Sequence, residues 1–378
     1  MKIFRSVNYL RRGIPLLTQR PKGWRSVLYN TSMSKLRRVS PLMMPAHVSI
    51  EPTNLCNARC PVCETGNRSM ERGNGLLDYD NFTQLIDEIA PTTAVLMYYF
   101  MGEPFLNPKS YEMIRYARQK GIYVETCTNG DLANAEGIIY SDINQVSFQI
   151  SGLDDASHEV YRVRSNFTKV SSNIKELVKL RNQTPESNVK IEIGFIVMKH
   201  NEKQIPEFLE WAEEIGVDKA NLIDPCVRSV AEGKIMLPDD RKFWFYDEEA
   251  FNRGILRPKY YTDNECTWIW NSTMINWNGD VVPCCRDPHG RHVFGNAFTT
   301  PLKEIWNSEQ VKEFRKRIIK NQGGVEICKL CSGYGVPKLQ NSPTLGFEVA
   351  RHSVNSFNPN LDDVLSEAGL KTLPIIKN

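Results

Sequence analysis

The residues best suited to chemistry form a compact set of three cysteines. Cys56, Cys60 and Cys63 follow a Cys-x3-Cys-x2-Cys spacing, directly after a run that predicts a strand (47–53). Three thiolates on one loop can bind three irons of a [4Fe-4S] cluster and leave the fourth iron without a protein ligand. Zinc is the alternative, but it usually takes a fourth ligand nearby, and no Cys or His follows Cys63 until Cys127. The spacing therefore favours a cluster with one open iron.

A second group of cysteines lies late in the chain, around a predicted β-hairpin. Asn278-Gly279 between apolar stretches is a strong signal for a two-residue hairpin turn. The thiolates available there come from Cys266, from Cys284 or Cys285, and from Cys328 and Cys331. Four thiolates with one x2 pair fit structural zinc or a fully ligated [4Fe-4S] cluster, and the spacing does not separate the two.

Composition narrows the class of protein. The chain has 378 residues, 41% of them hydrophobic, without an apolar run near 18 residues, so it predicts no transmembrane helix. A secretory signal is absent as well. Most of the ten cysteines fall in the two groups above, which indicates metal binding in a reducing compartment rather than disulfides. We therefore expect a cytoplasmic protein.

The positive charge is concentrated at the N-terminus. Residues 1–50 contain ten Lys or Arg and no acidic residue, so the rest of the chain carries about −7. Such an arm can contact anionic lipid or a phosphorylated substrate. It also resembles a transit peptide. A third interpretation is a solvated basic face that covers part of the protein. We predict a peripheral contact of residues 1–40 with an anionic substrate or the inner membrane face, and we expect no nucleic-acid partner.

From residue 46 the pattern predicts strands alternating with amphipathic helices. The predicted strands are 46–53, 94–101, 122–128, 144–151, 189–198 and 218–224, and the predicted helices are 78–90, 108–120, 132–140, 155–182 (broken) and 203–215. Six βα units in series imply a parallel sheet, because each crossover helix returns the chain in the same direction. Ligand sites in such α/β sheets lie at the carboxyl ends of the strands, where the first cysteine loop falls.

The cysteine loop and the strand ends resemble the radical S-adenosylmethionine (SAM) superfamily, over residues from about 46 to 335. This resemblance implies a partial (β/α)6 TIM-like barrel with a [4Fe-4S] cluster on the three cysteines of the loop. It also implies that SAM binds the unique iron, and that reduction of SAM releases a 5′-deoxyadenosyl radical that abstracts a substrate hydrogen.

Four residues match family positions that bind SAM. Gly102 and Glu103 match a Gly-Gly-Glu motif, with a methionine in place of the first glycine, and the resemblance assigns them to the amino group of SAM. Ser151 matches a ribose-binding hydroxyl, with a helix N-cap turn as the alternative. Arg162 matches an arginine that pairs with the SAM carboxylate, and Arg164 is the competing candidate.

The second cysteine group resembles the SPASM and twitch domains of radical SAM enzymes. The matching elements are Gly279-x4-Cys284, Gly295-Asn296 and Leu302-x2-Ile305-Trp306. The resemblance, and not the spacing, selects an auxiliary [4Fe-4S] cluster whose ligands are Cys266, Cys284, Cys328 and Cys331. Cys285 is then a spare residue. Because no cysteine follows Cys331, we expect the shorter version of the domain, with one cluster.

The sequence therefore predicts five segments. They are a basic arm (1–45), a radical SAM barrel (46–224), a linker (225–262), an auxiliary-cluster domain (263–335) and a loose tail (336–378) with one short helix near 361–370. The linker is expected to lie across the barrel.

The predicted reaction is a two-electron oxidation, since a fully ligated second cluster is suited to accept an electron from a substrate radical. Only 45 irregular residues precede the barrel, which disfavours a leader-binding domain for peptides. We therefore favour dehydrogenation of a sugar, cyclitol or glycan-precursor alcohol, with an external flavodoxin- or ferredoxin-like reductant. The alternatives are a peptide or protein maturase, and a non-catalytic zinc or redox-relay protein. No residue is identified as a catalytic base.

Overall fold

The computed structural model of the chain describes residues 21–40, 42–259, 264–331, 338–341 and 348–352. The described strands are β1 (His47–Ile50), β2 (Val95–Met97), β3 (Tyr123–Thr128), β4 (Gln145–Ile150), β5 (Lys190–Ile196), β6 (Lys219–Ile223), β7 (Ser272–Ile275), β8 (Asp280–Val282), β9 (Gly295–Asn296), β10 (Lys338–Asn341) and β11 (Glu348–His352). They join one sheet in the order β10-β11-β6-β5-β4-β3-β2-β1-β7-β8-β9.

The helices of the described ranges are α1 (Pro21–Lys35), α2 (Tyr79–Ile89), α3 (Ser110–Gln119), α4 (Ala135–Tyr140), α5 (Asp155–Glu159), α6 (Phe167–Gln183), α7 (Ile205–Ile215), α8 (Val230–Met236), α9 (Glu248–Asn252), α10 (Trp268–Asn271), α11 (Leu302–Trp306) and α12 (Glu309–Asn321). Side-chain caps start several of them, among them Asp78 at α2 and Asn166 at α6, because they accept the unpaired N–H groups of the first turn. The break predicted within 155–182 is confirmed between α5 and α6.

Strands β1 to β6 pair in parallel with their neighbours in sequence. Buried and half-buried residues alternate along β3 and β4, since successive side chains point to opposite faces of a sheet. One set, including Val146 and Phe148, joins the core beneath the helices, and the other faces the barrel interior. The structure confirms the α/β fold class with a partial (β/α)6 barrel.

The predicted hairpin around Asn278-Gly279 is confirmed, and it extends the barrel sheet. β7 runs parallel to β1, in register from His47 opposite Ser272 to Ile50 opposite Ile275. β8 then returns antiparallel to β7, with Gly279 at φ 90° in the turn, a conformation that glycine adopts without strain. The loop of the first cysteine group and the hairpin that precedes Cys284 therefore adjoin neighbouring strands of one sheet.

The other edge of the sheet differs from the loose tail that the sequence predicts. β11 pairs in parallel with β6, and β10 pairs antiparallel with β11. The predicted helix near 361–370 lies outside the described residues.

The predicted linker has a small core of its own, near the cysteine loop. The core consists of Val227, Leu237, Trp244, Phe245, Tyr246 and Phe251. Arg228 donates to Glu64 at 2.8 Å, next to the cysteine triad, and Met236 packs on the apolar side of the same loop. These contacts support the expectation that the segment lies across the barrel.

Part of the predicted basic arm packs against the auxiliary-cluster domain. Trp270 Nε1 donates to Arg38 O and Trp306 Nε1 donates to Met43 O, both at 2.7 Å. This matches the alternative in which the arm covers part of the protein, while residues 1–20 lie outside the described residues. In the part of the chain that the structure describes, no helix has the length and apolar character needed to span a membrane.

Candidate active site

The cysteine triad lies on the loop that leaves the carboxyl end of β1. Cys60 is buried, and Cys56 and Cys63 are half-buried. The backbone N–H of Cys63 donates to Cys60 O at 3.2 Å, which folds the loop tightly. Burial is the main cause that raises the pKa of Cys56 to about 12, and Glu103, Cys60 and Cys63 lie near enough to contribute to the rise. Thiolates in such a place are stable only when a metal takes up their charge.

The surroundings of the triad fit an iron–sulfur cluster with a bound SAM. Asn129 Nδ2 points at Cys56 Sγ (3.7 Å) and Arg162 Nη1 at Cys60 Sγ (3.8 Å), so donors already face the sulfurs. Arg162 Nε is buried without a hydrogen-bond partner, which leaves a guanidinium donor for an anionic group. Within the described ranges no three His, Cys, Asp or Glu side chains are arranged as ligands of one metal ion. A cluster makes a different demand, because each of the three thiolates binds a different iron.

Gly102 and Glu103 follow β2 and lie against the cysteine loop. Gly102 has φ +78°, and a Cβ on it would lie 2.5 Å from the carbonyl oxygens of Thr53 and Leu55. Glycine is therefore needed for the close packing of the two loops, and the contact of Gly102 with SAM stays a prediction. Glu103 N donates to Leu55 O at 2.8 Å, which fixes the carboxylate beside the triad.

The Glu103 carboxylate is buried but keeps three hydrogen bonds. It accepts from Thr128 Oγ1 at 2.7 Å, from Asn129 N at 2.8 Å and from Phe105 N at 3.3 Å. Burial raises its pKa to about 7, and these hydrogen bonds oppose the rise. A carboxylate in this state is suited to receive an ammonium group, as the predicted contact with SAM requires.

Ser151 and Arg162 lie in different surroundings. The Ser151 hydroxyl is fully buried and donates to His158 O at 2.9 Å, so only its acceptor lone pairs are left for a ribose. Its role in SAM binding stays a prediction. Arg162 lies among Cys56, Cys60 and Cys127, whereas the competing Arg164 is exposed. The geometry therefore favours Arg162 as the arginine near the cluster.

The late cysteines come together although they are far apart in the chain. Cys284 lies near Cys266 and Cys331, and Cys328 lies near the same two thiols, as their mutual effects on the pKa values show. Cys331 N donates to Cys328 O at 3.0 Å, which closes a turn that carries two thiols. The four predicted ligands therefore form one group, a donor set that fits a fully ligated cluster. Cys285 lies near this group as well.

Two family models match the chain. The model of the radical SAM superfamily matches residues 50–212. The model of the iron-sulfur cluster-binding domain called SPASM matches residues 266–332. The chain is a radical SAM enzyme with a SPASM domain. Its cofactors are accordingly SAM and [4Fe-4S] clusters, which removes the support for zinc at either site.

Several curated proteins are similar to this radical SAM enzyme. The tungsten-containing aldehyde ferredoxin oxidoreductase cofactor-modifying protein of Pyrococcus furiosus is 28% identical, over 71% of this chain and 83% of that protein. The AdoMet-dependent heme synthase of Methanosarcina barkeri is 24% identical, over 76% and 90%. The PqqA peptide cyclase of Gluconobacter oxydans is 22% identical, over 70% and 76%. Each relative is matched over most of its own length.

A solved structure shows the same fold. The crystal structure of Streptococcus suis SuiB bound to S-adenosylmethionine superposes with a TM-score of 0.57 at 16% identity, over 80% of this chain and 75% of that chain. At this identity the likeness concerns the fold alone.

Sequence reasoning missed several polar residues of the radical SAM barrel. Asn129 donates from Nδ2 to Asn57 Oδ1 at 2.8 Å and also faces the triad. Glu51 is a fully buried carboxylate at the end of β1. The sequence did offer a signal for Glu51, because this acidic residue lies within an apolar predicted strand. Acidic residues are rarely buried unless they are paired.

The barrel interior also contains a polar pair. Tyr99 Oη donates to Glu125 Oε1 at 3.2 Å. Burial raises the pKa of Tyr99, and Glu125, Cys127 and Cys285 add to the rise. Tyr99 is therefore close both to the strand end beside the SAM residues and to the auxiliary cysteines.

Proposed function

We propose that this chain is an oxidative radical SAM maturase that modifies a peptide or protein. The observation that carries the oxidative part is the sheet itself, in which the loop with the three-thiol triad follows β1 and the hairpin of the four-thiol group is paired with β1 through β7. An open cluster and a fully ligated cluster, each with ligands close to the neighbouring strands β1 and β7, would suit the removal of a hydrogen atom followed by the removal of an electron.

The proposed roles follow from the placement of the side chains. When bound, the triad cluster and SAM supply a 5′-deoxyadenosyl radical that takes a hydrogen atom from the substrate. Glu103 would accept hydrogen bonds from the amino group of SAM, with the Gly102 backbone beside it, and Arg162 would pair with the SAM carboxylate. Cys266, Cys284, Cys328 and Cys331 would hold a cluster able to accept one electron, so that loss of a hydrogen atom, an electron and a proton would amount to a two-electron oxidation of the substrate. An external flavodoxin- or ferredoxin-like protein would supply the electron that starts each turnover.

The names of relatives support a peptide as substrate. They include PqqA peptide cyclases, at 21–22% identity over 65–76% of this chain, and the antilisterial bacteriocin subtilosin biosynthesis protein AlbA of Bacillus subtilis. The sequence-based hypothesis of a sugar or cyclitol alcohol has less support, because these names refer to a peptide or a bacteriocin and not to a sugar. The maturase that the sequence left as the alternative is therefore our main proposal.

A cofactor precursor is the second candidate. The relative with the highest identity given above carries a name for cofactor modification, and the heme synthase is matched over 90% of its length. Both names support a cofactor or its precursor, rather than a peptide, as the substrate.

Transfer of deuterium from a labelled extract tests both candidates. Cells of the source organism are grown in heavy water, their extract is separated into a peptide fraction and a small-metabolite fraction, and each is added to reduced enzyme with unlabelled SAM. We expect deuterium in 5′-deoxyadenosine from the peptide fraction, and its loss after that fraction is treated with protease.

The controls decide between the candidates. Label that comes from the small-metabolite fraction and resists protease would contradict the peptide proposal and favour a cofactor precursor. Periodate treatment of the same fraction would identify a sugar or cyclitol, because it cleaves vicinal diols. The Cys56→Ala variant shows the background, since it lacks a ligand of the SAM cluster.

A further inference from the structure

The carboxyl end of β1 holds a buried ion pair. Glu51 is fully buried, and its carboxylate accepts from both Nη atoms of Arg72, one of them at 2.6 Å. It also accepts the N–H of Met101 at 3.4 Å and the N–H of Trp277 at 3.2 Å. A charge is tolerated in such a place only when it is paired and hydrogen-bonded. The pair therefore ties the ends of β1 and β2 to the turn between β7 and β8.

Arg72 extends this connection to the segment that carries an auxiliary cysteine. Its Nε donates to Pro288 O at 2.7 Å. That segment folds around the buried Asp287, whose N–H donates to Cys284 O at 3.1 Å and whose carboxylate accepts the N–H groups of two residues that follow. Arg72 therefore holds a compact turn of which Cys284 is a part.

The residues after Arg72 make the same connection through different contacts. Gly73 O accepts from Trp277 Nε1 at 3.2 Å. A Cβ on Gly75 would lie 2.4 Å from the Trp277 ring, so the ring packs directly on the glycine backbone. We call residues 71–75 the clamp. Its contacts join the segment that follows the cysteine triad to the hairpin of the SPASM domain.

The sheet by itself does not position the turn that carries Cys284. Four residue pairs tie β7 to β1, but β8 ends at Val282, before the cysteine. Beyond Val282 the turn is held to the barrel by Arg72 and by an ion pair of Glu71 with Arg291. The ion pair is exposed and contributes little, so the buried contact of Arg72 is the stronger one.

We propose that the clamp is a positioning device that sets the distance and orientation of the auxiliary cluster relative to the SAM cluster. The clamp follows the triad closely in the chain and contacts the turn of Cys284, so a shift at one site reaches the other. The rate of electron transfer falls as the distance between two redox centres increases. The inference rests on the proposed oxidative function, in which an electron must reach the auxiliary centre.

Two variants loosen the clamp in different ways. Arg72→Lys keeps the charge but loses the paired donors to Glu51 and the Nε donor to Pro288. Gly75→Ala displaces the Trp277 ring and leaves the ion pair in place. Glu192→Gln is the matched control, because it disrupts the similarly buried Lys219–Glu192 pair between β5 and β6.

The measurements need no substrate. In dithionite-reduced protein with full iron content, we expect both clamp variants to alter the magnetic interaction between the two clusters, seen as changed EPR relaxation, and the control to leave it unchanged. In cluster-free protein, hydrogen exchange of residues 284–292 should become about tenfold faster in Arg72→Lys, as for the loss of one hydrogen bond to a charged group.

Two outcomes would overturn the inference. Unchanged relaxation in both clamp variants would mean that the clamp does not set the geometry of the clusters. If both clamp variants lost the auxiliary cluster, the clamp would be needed for the folding of the auxiliary site and would not set the distance between the two clusters. A result that supports the clamp together with a failed peptide-label experiment would contradict only the proposed substrate, since neither clamp measurement involves a substrate.

Discussion

The two cysteine sites differ in how much of the molecule builds them. The triad lies within eight consecutive residues, 56–63, on one loop after β1. The auxiliary thiols come from separate segments spread over residues 266–331, which meet because α10, α11 and α12 pack together. A local site depends on its own loop, whereas an assembled site depends on every contact that holds its segments.

The contacts of the assembled site extend to the start of the chain. Arg315 of α12 is fully buried and donates to Ile269 O and Trp306 O at 3.1 Å and to Val39 O at 3.4 Å. Burial lowers the pKa of this arginine to about 9. Residues before the barrel therefore help to satisfy a buried cation in the core of the auxiliary domain. The comparison predicts that remote changes damage the auxiliary site more than the triad.

Replacing Cys56, Cys60 and Cys63 together by Ala should have the largest effect. Iron should fall from about eight to about four atoms per chain, as for the loss of one of two [4Fe-4S] clusters, and SAM cleavage should be abolished. The auxiliary cluster should remain, because its thiols lie on other segments. Iron analysis and EPR check this, and a triple variant that keeps all its iron and still forms 5′-deoxyadenosine would contradict the assignment.

Deletion of residues 1–40 should remove the auxiliary cluster and spare the SAM cluster. The deletion takes away the carbonyls of Arg38 and Val39, which accept from Trp270 and Arg315. Each buried donor left without a partner costs about 1–3 kcal/mol. We expect a lower Tm and retained SAM cleavage. Deletion of 1–20 is the control and should keep both clusters; equal losses in the two deletions would refute the role of residues 21–40.

The affinity for SAM should rise with pH around the pKa of Glu103, which burial raises to about 7. Below that pH the carboxyl is protonated and neutral, and above it the carboxylate can accept from the ammonium group of SAM. Because the pKa is raised in the folded state, ionisation costs folding stability, but it favours the cationic ligand. The affinity should increase about tenfold between pH 6 and pH 8, following the ionised fraction.

Calorimetric titration of SAM into the protein with its clusters measures this dependence. Glu103→Gln should bind SAM weakly at every pH and lose the slope between pH 6 and pH 8. Glu112→Gln on the surface of α3 should keep the slope of the unaltered protein. A slope that persists in Glu103→Gln would assign the titration to another group.

Much of the barrel could be predicted from the sequence, because its signals are local. The period of two in the strands, the apolar stripes of the helices and the turn at Asn278-Gly279 each reflect interactions within a few residues. The triad is local in the same way, since its spacing lies on one loop. The alternation of strands and helices predicted a parallel sheet as well, because each crossover helix returns the chain in the same direction, whereas the partial barrel came from the family resemblance.

Only the tertiary structure decided how distant segments combine. Three contacts join residues far apart in sequence: the pairing of β7 with β1, the burial of Glu51 against Arg72, and the hydrogen bonds of Trp270 and Trp306 to Arg38 and Met43. No periodic pattern records such contacts, because the free energy of a buried pair depends on which segments exclude water around it. The resemblance had already selected Arg162 over Arg164, and the tertiary structure adds that Arg162 faces Cys60 Sγ while Arg164 is exposed.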